Sequence, residues 1–585
     1  MVQLGQAVVI VLCLNLAGIL HAGTNRNNSA KLAKDLAGTA RNGAVNAIVQ
    51  FDTEPTEAHM SKLRGWGAVE KVRLRRIKAT LVSVPLTSLE SLAADPEVVY
   101  VSPDRPVRAF LDYANETTGA AIAASYGWNG DGVGIAIVDS GVAEHWDLRE
   151  AMSSKAQTGP SRIVYRESFV PDRTGANASV TDDAFGHGTH VAGILGGNGW
   201  SSTGSFYTAS FRGIAPKVKL VNLRVLDETG AGVDSAVVAA IERAIELRGK
   251  YNIRVLNLSL GRPVFESYRL DPLCQAVEAA WKAGITVVVA AGNRGRAGAP
   301  GTYGYGTISS PGNDPYVITV GAMKTSATKN RADDRIASYS SKGPTPVDHV
   351  AKPDLVAPGN RTISLMHKVY NARSGLSQQY PQNIVPASYY TTGGNKGAND
   401  AYFWLSGTSM ATPMVSGAAA LLLQKYPQLT PDQVKARLMK SAAKSFPAFS
   451  TAEDPDTGQV YWSQYDLFTV GAGYLDIWAA LNLPDPPAAG QALSPVAVYD
   501  ASTRNVYLRF DTSAVWGDSA VWGDTVFVSG SKALWGSSAV WGDATATGFS
   551  AVWGDSAVWG DSAVGSASEA ILSVESLKVA VKGEK

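Results

Sequence analysis

A few polar residues stand where a polypeptide can do chemistry. Asp139 follows the apolar run Gly134-Ile135-Ala136-Ile137-Val138, and Ser140-Gly141 then turn the chain. Asn293 follows Thr286-Val287-Val288-Val289-Ala290-Ala291-Gly292, and Ser259-Leu260-Gly261 ends a third run. In an open parallel sheet, reactive groups collect at the carboxyl ends of strands. Taken singly, each of these is also an ordinary turn sequence. Gly186-His187-Gly188-Thr189-His190-Val191-Ala192-Gly193 is more specific. Small residues around His187 allow close backbone approach and leave the imidazole accessible. His187 and His190, three apart, could instead share a metal from one helix face. No Glu follows in a zincin-type arrangement and no cysteine partners them, so His190 reads better as a residue packing behind His187.

Gly407-Thr408-Ser409-Met410-Ala411-Thr412-Pro413 introduces an apolar helix from Met414 to Leu423. Ser409 then lies at the amino end of a buried helix, where the dipole and free N–H groups stabilise a developing oxyanion. Pro413 cannot donate back to the Ser409 carbonyl, which distorts the first turn. Thr408 is the candidate N-cap, leaving Ser409 free for chemistry.

These residues need a scaffold, and residues 130–480 alternate short apolar runs with helical stretches. Strands are expected at Gly134–Val138, Leu220–Val225, Val255–Leu258, Thr286–Ala290 and Val317–Val320. Helices are expected at Asp234–Leu247, Pro272–Ala283, Thr412–Lys425 and Pro431–Ala442. Continuous apolar strands between helices indicate a parallel sheet covered on both faces, so the fold class is α/β, doubly wound. Before it, from Ala44 to Asp112, strands at Ala47–Val49, Ala79–Val84 and Val98–Val101 surround helices near Glu57–Arg64 and Leu86–Ala93. That texture fits a β-α-β-β-α-β order and a small ferredoxin-like α+β domain. Residues 23–43 read as a linker. After 490 the chain repeats Ser-Ala-Val-Trp-Gly-Asp at 513–518, 519–524, 538–543, 550–555 and 556–561. Val and Trp favour strands and Gly-Asp favours turns, so this tail reads as β-rich.

Composition bounds the function. With 45% hydrophobic and 18% charged residues, the 585-residue chain is globular and long enough for several domains. A net charge of +1 gives no reason to invoke nucleic acid or an anionic membrane. Residues 1–22 read as a secretory signal, with an apolar run Ala7–Leu20 ending at Leu20-His21-Ala22, although no Lys or Arg precedes the run. The run is shorter than the roughly 20 residues a bilayer span needs, and no later segment is long and apolar enough. If the signal is removed, Cys274 is the only cysteine left and no intramolecular disulfide can form.

Together the segments Ile-Val-Asp139-Ser-Gly, Gly-His187-Gly-Thr-His-Val-Ala-Gly, Ala-Ala-Gly-Asn293 and Gly-Thr-Ser409-Met-Ala-Thr-Pro resemble the subtilisin-like serine peptidases, in family order, over about residues 120–480. The resemblance implies a peptide hydrolase in which Ser409 attacks the peptide carbonyl, His187 takes its proton and Asp139 orients the imidazole. It implies that Asn293 and the Ser409 N–H hold the oxyanion, with no cofactor required for chemistry. Gly230-Ala231-Gly232 and Ser259-Leu260-Gly261 are the implied edges for an extended protein or peptide substrate. Ala290, Ala291 and Gly292 would line the pocket before the cut, with Ser309 at its floor, giving an open apolar site. Arg262 departs from the family's usual Gly, either to favour acidic substrate residues or simply to point to solvent.

By the same resemblance the N-terminal domain, closing on Asp95-Pro96-Glu97-Val98-Val99-Tyr100-Val101-Ser102-Pro103-Asp104, is an intramolecular inhibitor removed by cleavage between about Arg105 and Thr118. A secreted, extracellular enzyme matured from a precursor is the expected whole. Asp147 matches a calcium carboxylate of several relatives, but Gly197–Phe211 replaces the loop that completes that site and lacks acidic residues. Structural calcium there stays open, as does a capping or pairing role for Asp147. The longer stretch between Pro358 and Ser406, with Tyr370, Tyr380, Tyr389 and Tyr390, suggests an aromatic flap beside the cleft. The Trp tail either binds a surface or polysaccharide or buries its Trp within its own sheet. The rival reading is an adhesion protein acting through those repeats, though such a protein has no need of Asp139, His187, Asn293 and Ser409 together.

Overall fold

The computed structural model describes residues 31–32, 36, 43–74, 78–103, 111–150, 159–171, 174–175, 178–297, 303–326, 328–367, 375–392, 401–454, 457–484, 490–500, 505–509 and 574–584. The expected signal peptide, nearly all of the linker, residues 105–110 of the expected cleavage segment, Tyr370 and all the hexad repeats lie outside the described residues. The chain divides into two units, residues 1–108 and 109–585.

In the first unit, strand β1 (Ala44–Phe51) leads to helix α1 (Glu57–Gly65) and strands β2 (Val69–Leu74) and β3 (Ala79–Pro85). Helix α2 (Leu89–Ala94) and strand β4 (Val98–Pro103) follow. The sheet order is β2-β3-β1-β4 with every pairing antiparallel. Alternate residues of β1, Ala47, Val49 and Phe51, face Met60 and Leu63 of α1 and Leu89 and Leu92 of α2 in one small core. The strand that sequence reading left unplaced is β2. Its Val-Glu-Lys-Val-Arg-Leu lies on the sheet edge with much of its surface exposed, so burial imposes no apolar alternation.

The second unit is built on eight strands: β5 (Gly134–Asp139), β6 (Ile163–Ser168), β7 (Lys219–Arg224), β8 (Ile253–Leu258), β9 (Thr286–Ala290), β10 (Ile318–Lys324), β11 (Arg335–Ile336) and β12 (Leu355–Pro358). Their order is β11-β10-β9-β8-β5-β7-β6, with β12 also paired to β10. Every pairing is parallel except β10 with β11. Every residue of β5 and β9 is buried, which is why both read as continuous apolar runs. Helices α3 (His187–Gly196), α4 (Asp234–Tyr251), α5 (Pro272–Lys282), α6 (Thr408–Lys425) and α7 (Pro431–Ser441) surround the sheet. Helix α6 is buried from Thr408 to Leu423 and touches β8, β9, β10 and β12. It is apolar all round because no side of it meets water.

A small sheet of β13 (Thr362–Leu365), β14 (Ile384–Val385) and β15 (Tyr402–Leu405) lies ahead of α6 in the chain. Here the expected aromatic flap is replaced by an internal cluster. Tyr390 is fully buried, stacked on Tyr207 at 6.1 Å and edge-on to Tyr402 at 5.3 Å, while Tyr389 meets Trp404. The described residues after 490 form a hairpin of β16 (Val496–Asp500) with β17 (Asn505–Arg509) and a helix α8 (Val574–Lys582), while the repeats that carry the β-rich expectation lie outside them.

Candidate active site

The sheet order reverses around β5, which has β7 on one side and β8 on the other. Asp139 is the last residue of β5, Ser259 follows β8, and Asn293 follows β9, so three of the sequence-predicted residues sit at neighbouring carboxyl ends. His187 is the first residue of α3, and Ser409 lies in the first turn of α6.

The His187 Nδ1 and Asp139 Oδ1 are 2.8 Å apart, and both side chains are buried. Asp139 Oδ1 also accepts from the Ser140 N–H at 2.7 Å. With Nδ1 directed at a carboxylate, the proton belongs on Nδ1 and Nε2 is left as the basic nitrogen. Burial lowers the His187 pKa, but the charge and hydrogen bond of Asp139 outweigh it, so the pKa ends above its ordinary value. Gly188 makes this approach feasible. A Cβ there would stand 2.1 Å from the Gly141 carbonyl oxygen and 3.1 Å from the Asp139 Cβ.

Asp183, which sequence reading missed, holds the loop before α3. It accepts from the Ser140 hydroxyl, the Gly186 N–H and the Thr189 N–H at 2.7–2.8 Å. His190 behaves as expected of a structural residue. Its Nε2 lies 2.9 Å from the Phe403 carbonyl, and burial drives its pKa down to about 3, so it stays neutral.

Ser409 donates its hydroxyl to the Ser259 carbonyl at 3.0 Å, and the Ser259 hydroxyl donates to the Ser409 carbonyl at 2.9 Å. Among the described residues no hydrogen bond joins Ser409 to His187. Asn257 Nδ2 donates to the Ser259 hydroxyl at 3.0 Å, and Ser416 of α6 donates to Asn257 Oδ1 at 2.8 Å. The reciprocal Ser259–Ser409 pair therefore rests on groups from β8 and α6.

Thr408 is not the cap. Gly407 occupies that position, and Thr408 is the first helical residue. Its N–H and hydroxyl both donate to Asn293 Oδ1, at 2.9 and 3.1 Å, while its hydroxyl accepts from the Gly292 N–H. Holding the amide by its oxygen leaves Asn293 Nδ2 as the end available to donate.

Of the expected substrate residues, Ala290, Ala291 and Ser309 are buried, and the Ser309 N–H donates to the Ala291 carbonyl at 3.0 Å. Gly230, Ala231 and Gly232 follow a turn in which Asp227 accepts from the Ala231 N–H at 3.0 Å. Arg262 neither points to solvent nor stands ready for a substrate acid. Its guanidinium pairs with Asp234 at the start of α4 and with Asp271, at 2.8 and 2.9 Å, because two carboxylates converge on it. It thereby ties the Ser259–Gly261 segment to the helix that follows Gly230–Gly232.

Asp147 is fully buried, with one carboxylate oxygen accepting from the Ser201 N–H and the other from the Tyr402 hydroxyl, both at 2.8 Å. The loop that replaces the expected calcium ligands thus supplies one of its partners. Among the described residues, no group of three or more His, Cys, Asp or Glu is placed to hold a metal. No helix among them is long and apolar enough to cross a membrane.

Comparison with known proteins adds an independent line. Residues 130–465 match the model of the subtilase family. The chain is 36% identical over 386 residues to serine protease AprX of Bacillus subtilis (strain 168), covering 64% of this chain and 76% of that protein. It is 32% identical over 380 residues to subtilisin E of the same strain, covering 64% and 78%. It is 33% identical over 381 residues to the extracellular serine proteinase of Thermus sp. (strain Rt41A), covering 63% and 72%.

Proposed function

Since the chain belongs to the subtilase family and is a subtilisin-like serine endopeptidase, we propose that Asp139, His187 and Ser409 are its catalytic triad and that it matures by cutting its own N-terminal unit away. The observation that carries the triad is the 2.8 Å Asp139–His187 hydrogen bond between the carboxyl end of β5 and the start of α3. Ser409 turns from the Ser259 carbonyl to His187 Nε2 and attacks the substrate carbonyl carbon, passing its proton to that nitrogen. The Asn293 Nδ2 and the Ser409 N–H receive the oxyanion. Collapse expels the amine, which takes the proton from His187, and leaves an acyl group on Ser409. Water, deprotonated by His187, attacks the acyl carbon, and collapse breaks its bond to Ser409, which takes the proton back from His187 as the acid leaves. Every proton in this scheme moves between groups of the chain, the substrate and water, so the chemistry requires no cofactor.

The substrate lies extended between Gly230–Gly232 and Ser259–Gly261, with its side chain before the cut in a pocket of Ala290, Ala291, Gly292 and Ser309. The N-terminal unit acts as folding template and inhibitor, a role suited to a slow-forming parallel sheet. Residues 1–22 direct secretion, in keeping with the name of the Thermus relative. The Trp repeats are an appendage that serves attachment to a surface or polysaccharide. Purified precursor and its Ser409→Ala variant, compared by intact mass and casein hydrolysis, test the reading. The wild type is expected to shed a fragment ending near residues 105–118 and to degrade casein, and the variant to do neither. Identical behaviour of the two would remove Ser409 as the nucleophile.

A further inference from the structure

Helix α8 and the two residues after it lie against the peptidase unit far along the chain from it, and the contact is concentrated at the tip. Glu584 is buried. Its Oε1 accepts from Arg296 Nη2 at 2.9 Å, from the Ser338 N–H at 2.7 Å and from the Ser338 hydroxyl. Its backbone is gripped by Asn360, whose Oδ1 accepts from the Glu584 N–H at 2.8 Å and whose Nδ2 donates to the Glu584 carbonyl at 2.9 Å. Gly583 has φ +59, and a Cβ on it would stand 2.3 Å from the Ser406 hydroxyl oxygen. Two further backbone bonds complete the seat: Ser406 N–H to the Ala580 carbonyl at 2.8 Å, and Asn383 Nδ2 to the Val581 carbonyl at 2.7 Å. Beside the helix a cavity of about 420 Å³ stays open, lined by Arg361, Tyr380, Trp404, Lys578 and Lys582 among others. Val579 and Ala580 are buried in the large core and Leu577 packs against it, while a fitted carboxylate fixes the tip.

Two of the groups that grip the tip lie next to active-site residues in the chain. Arg296 follows Asn293 by three residues, and Ser406 precedes Ser409 by three. Ser338 begins a stretch that runs beneath Asn293. There the Gly295 N–H donates to the Tyr339 carbonyl, the Ser341 N–H to the Gly292 carbonyl and the Arg294 N–H to the Ser341 hydroxyl, at 2.8–3.1 Å. One carboxylate thus joins the oxyanion loop to the turn beneath it, and the adjoining backbone joins the nucleophile loop.

We propose that Arg296, Ser338 and Asn360 form a carboxylate-recognition site for the Gly583-Glu584 tip, and that docking of Val574–Glu584 there is a strap that positions the Asn293 and Ser409 loops for catalysis. The ligand class is a short helix followed by Gly-Glu, supplied in cis. Glu584 and Arg296 are positioning residues and touch no reacting atom. The inference rests on Asn293 and Ser409 acting as proposed above.

The test uses full-length Glu584→Ala and Gly583→Val variants. Each is expected to lower kcat on a chromogenic peptide anilide by about 10–10²-fold, the order expected when a catalytic group is displaced by about 1 Å, with KM nearly unchanged. A synthetic peptide of residues 574–585 added in excess is expected to restore kcat, and the same peptide carrying Glu584→Ala is not. Hydrogen exchange in a Ser409→Ala background reads docking without any catalysis, and there the Glu584→Ala change is expected to unprotect residues 574–584. If those residues stay protected, the carboxylate site is not the anchor. If they are released and kcat holds at the wild-type value, the strap positions nothing. Loss of kcat that no peptide restores also overturns the proposal. Failure of Ser409 to react with a sulfonyl fluoride would instead overturn the catalytic reading, and hydrogen exchange would still report the docking.

Discussion

His187 is pulled in opposite directions by its surroundings, and the balance sets the pH dependence of the enzyme. Burial favours the neutral imidazole, whereas the Asp139 carboxylate, by charge and hydrogen bond, favours the imidazolium and prevails. A general base works only when neutral, so kcat/KM should be full above the His187 pKa and lost as pH falls through it. The acid limb is therefore expected above the ordinary histidine value of 6.5. In Asp139→Asn the carboxylate is gone and burial is opposed only by the charge of Asp183, the smallest of the contributions, so the limb should move to lower pH while kcat drops by about 10⁴-fold. A kcat/KM profile of the two proteins checks both. Asn293→Ala is expected to lower kcat by about 10²–10³-fold, a magnitude known for the corresponding amide of subtilisin itself. KM should hardly change, because the amide meets its charge only in the tetrahedral state. The residues of the proposed triad stood out through their motifs taken together, and the fold brings Asp139 and His187 into a hydrogen bond. Asp183 was not, because its partners Ser140, Gly186 and Thr189 come from two separate segments and nothing in Asp-Asp-Ala-Phe signals a buried carboxylate. Arg262 was misjudged for the same reason, since Asp234 and Asp271 converge on it only in the folded chain.

At the scale of elements, the site depends on how closely α3 approaches the end of β5. Gly188→Ala places a methyl group 2.1 Å from the Gly141 carbonyl and 3.1 Å from the Asp139 Cβ, backbone and carboxylate that cannot both yield. The variant is expected to lose at least about 10²-fold in kcat by spreading the Asp139–His187 pair. Its unfolding midpoint in urea, measured on a Ser409→Ala background, should also fall, as overpacking predicts. Elements buried on both faces were legible. The strands β5, β7, β8 and β9 lie within a few residues of their expected bounds because buried, mostly apolar runs have few other places to go. Helices α4, α5 and α7 do so too, with buried residues along one face of α4 and α5 and through most of α7. Edge elements were not. β2 carries Glu, Lys and Arg and is largely exposed, and β6 carries Arg and Glu on half-buried positions, so neither shows the apolar run that marks an inner strand. The start of α6 was placed late, at Thr412 rather than Thr408, because Pro413 and the small residues before it imitate a helix N-terminus.

At the scale of the whole molecule, thirteen buried residues form a core in the described part of the N-terminal unit, and a far larger core lies in the described part of the peptidase unit. That separation suits an N-terminal unit that can be discarded. The division itself was legible from the change in texture after Asp112. The docking of residues 574–584 was not, because its basis is one glutamate and one glycine beyond a repeat that dominates the tail. The central claim is that Ser409 is the nucleophile, made reactive by His187 and Asp139. Its most direct test is labelling of the mature enzyme with phenylmethanesulfonyl fluoride, followed by peptide mass mapping. A single adduct on Ser409, formed in step with loss of activity and much more slowly in Asp139→Asn, is the predicted result. Inactivation without an adduct on Ser409, or an adduct on another residue, would contradict it.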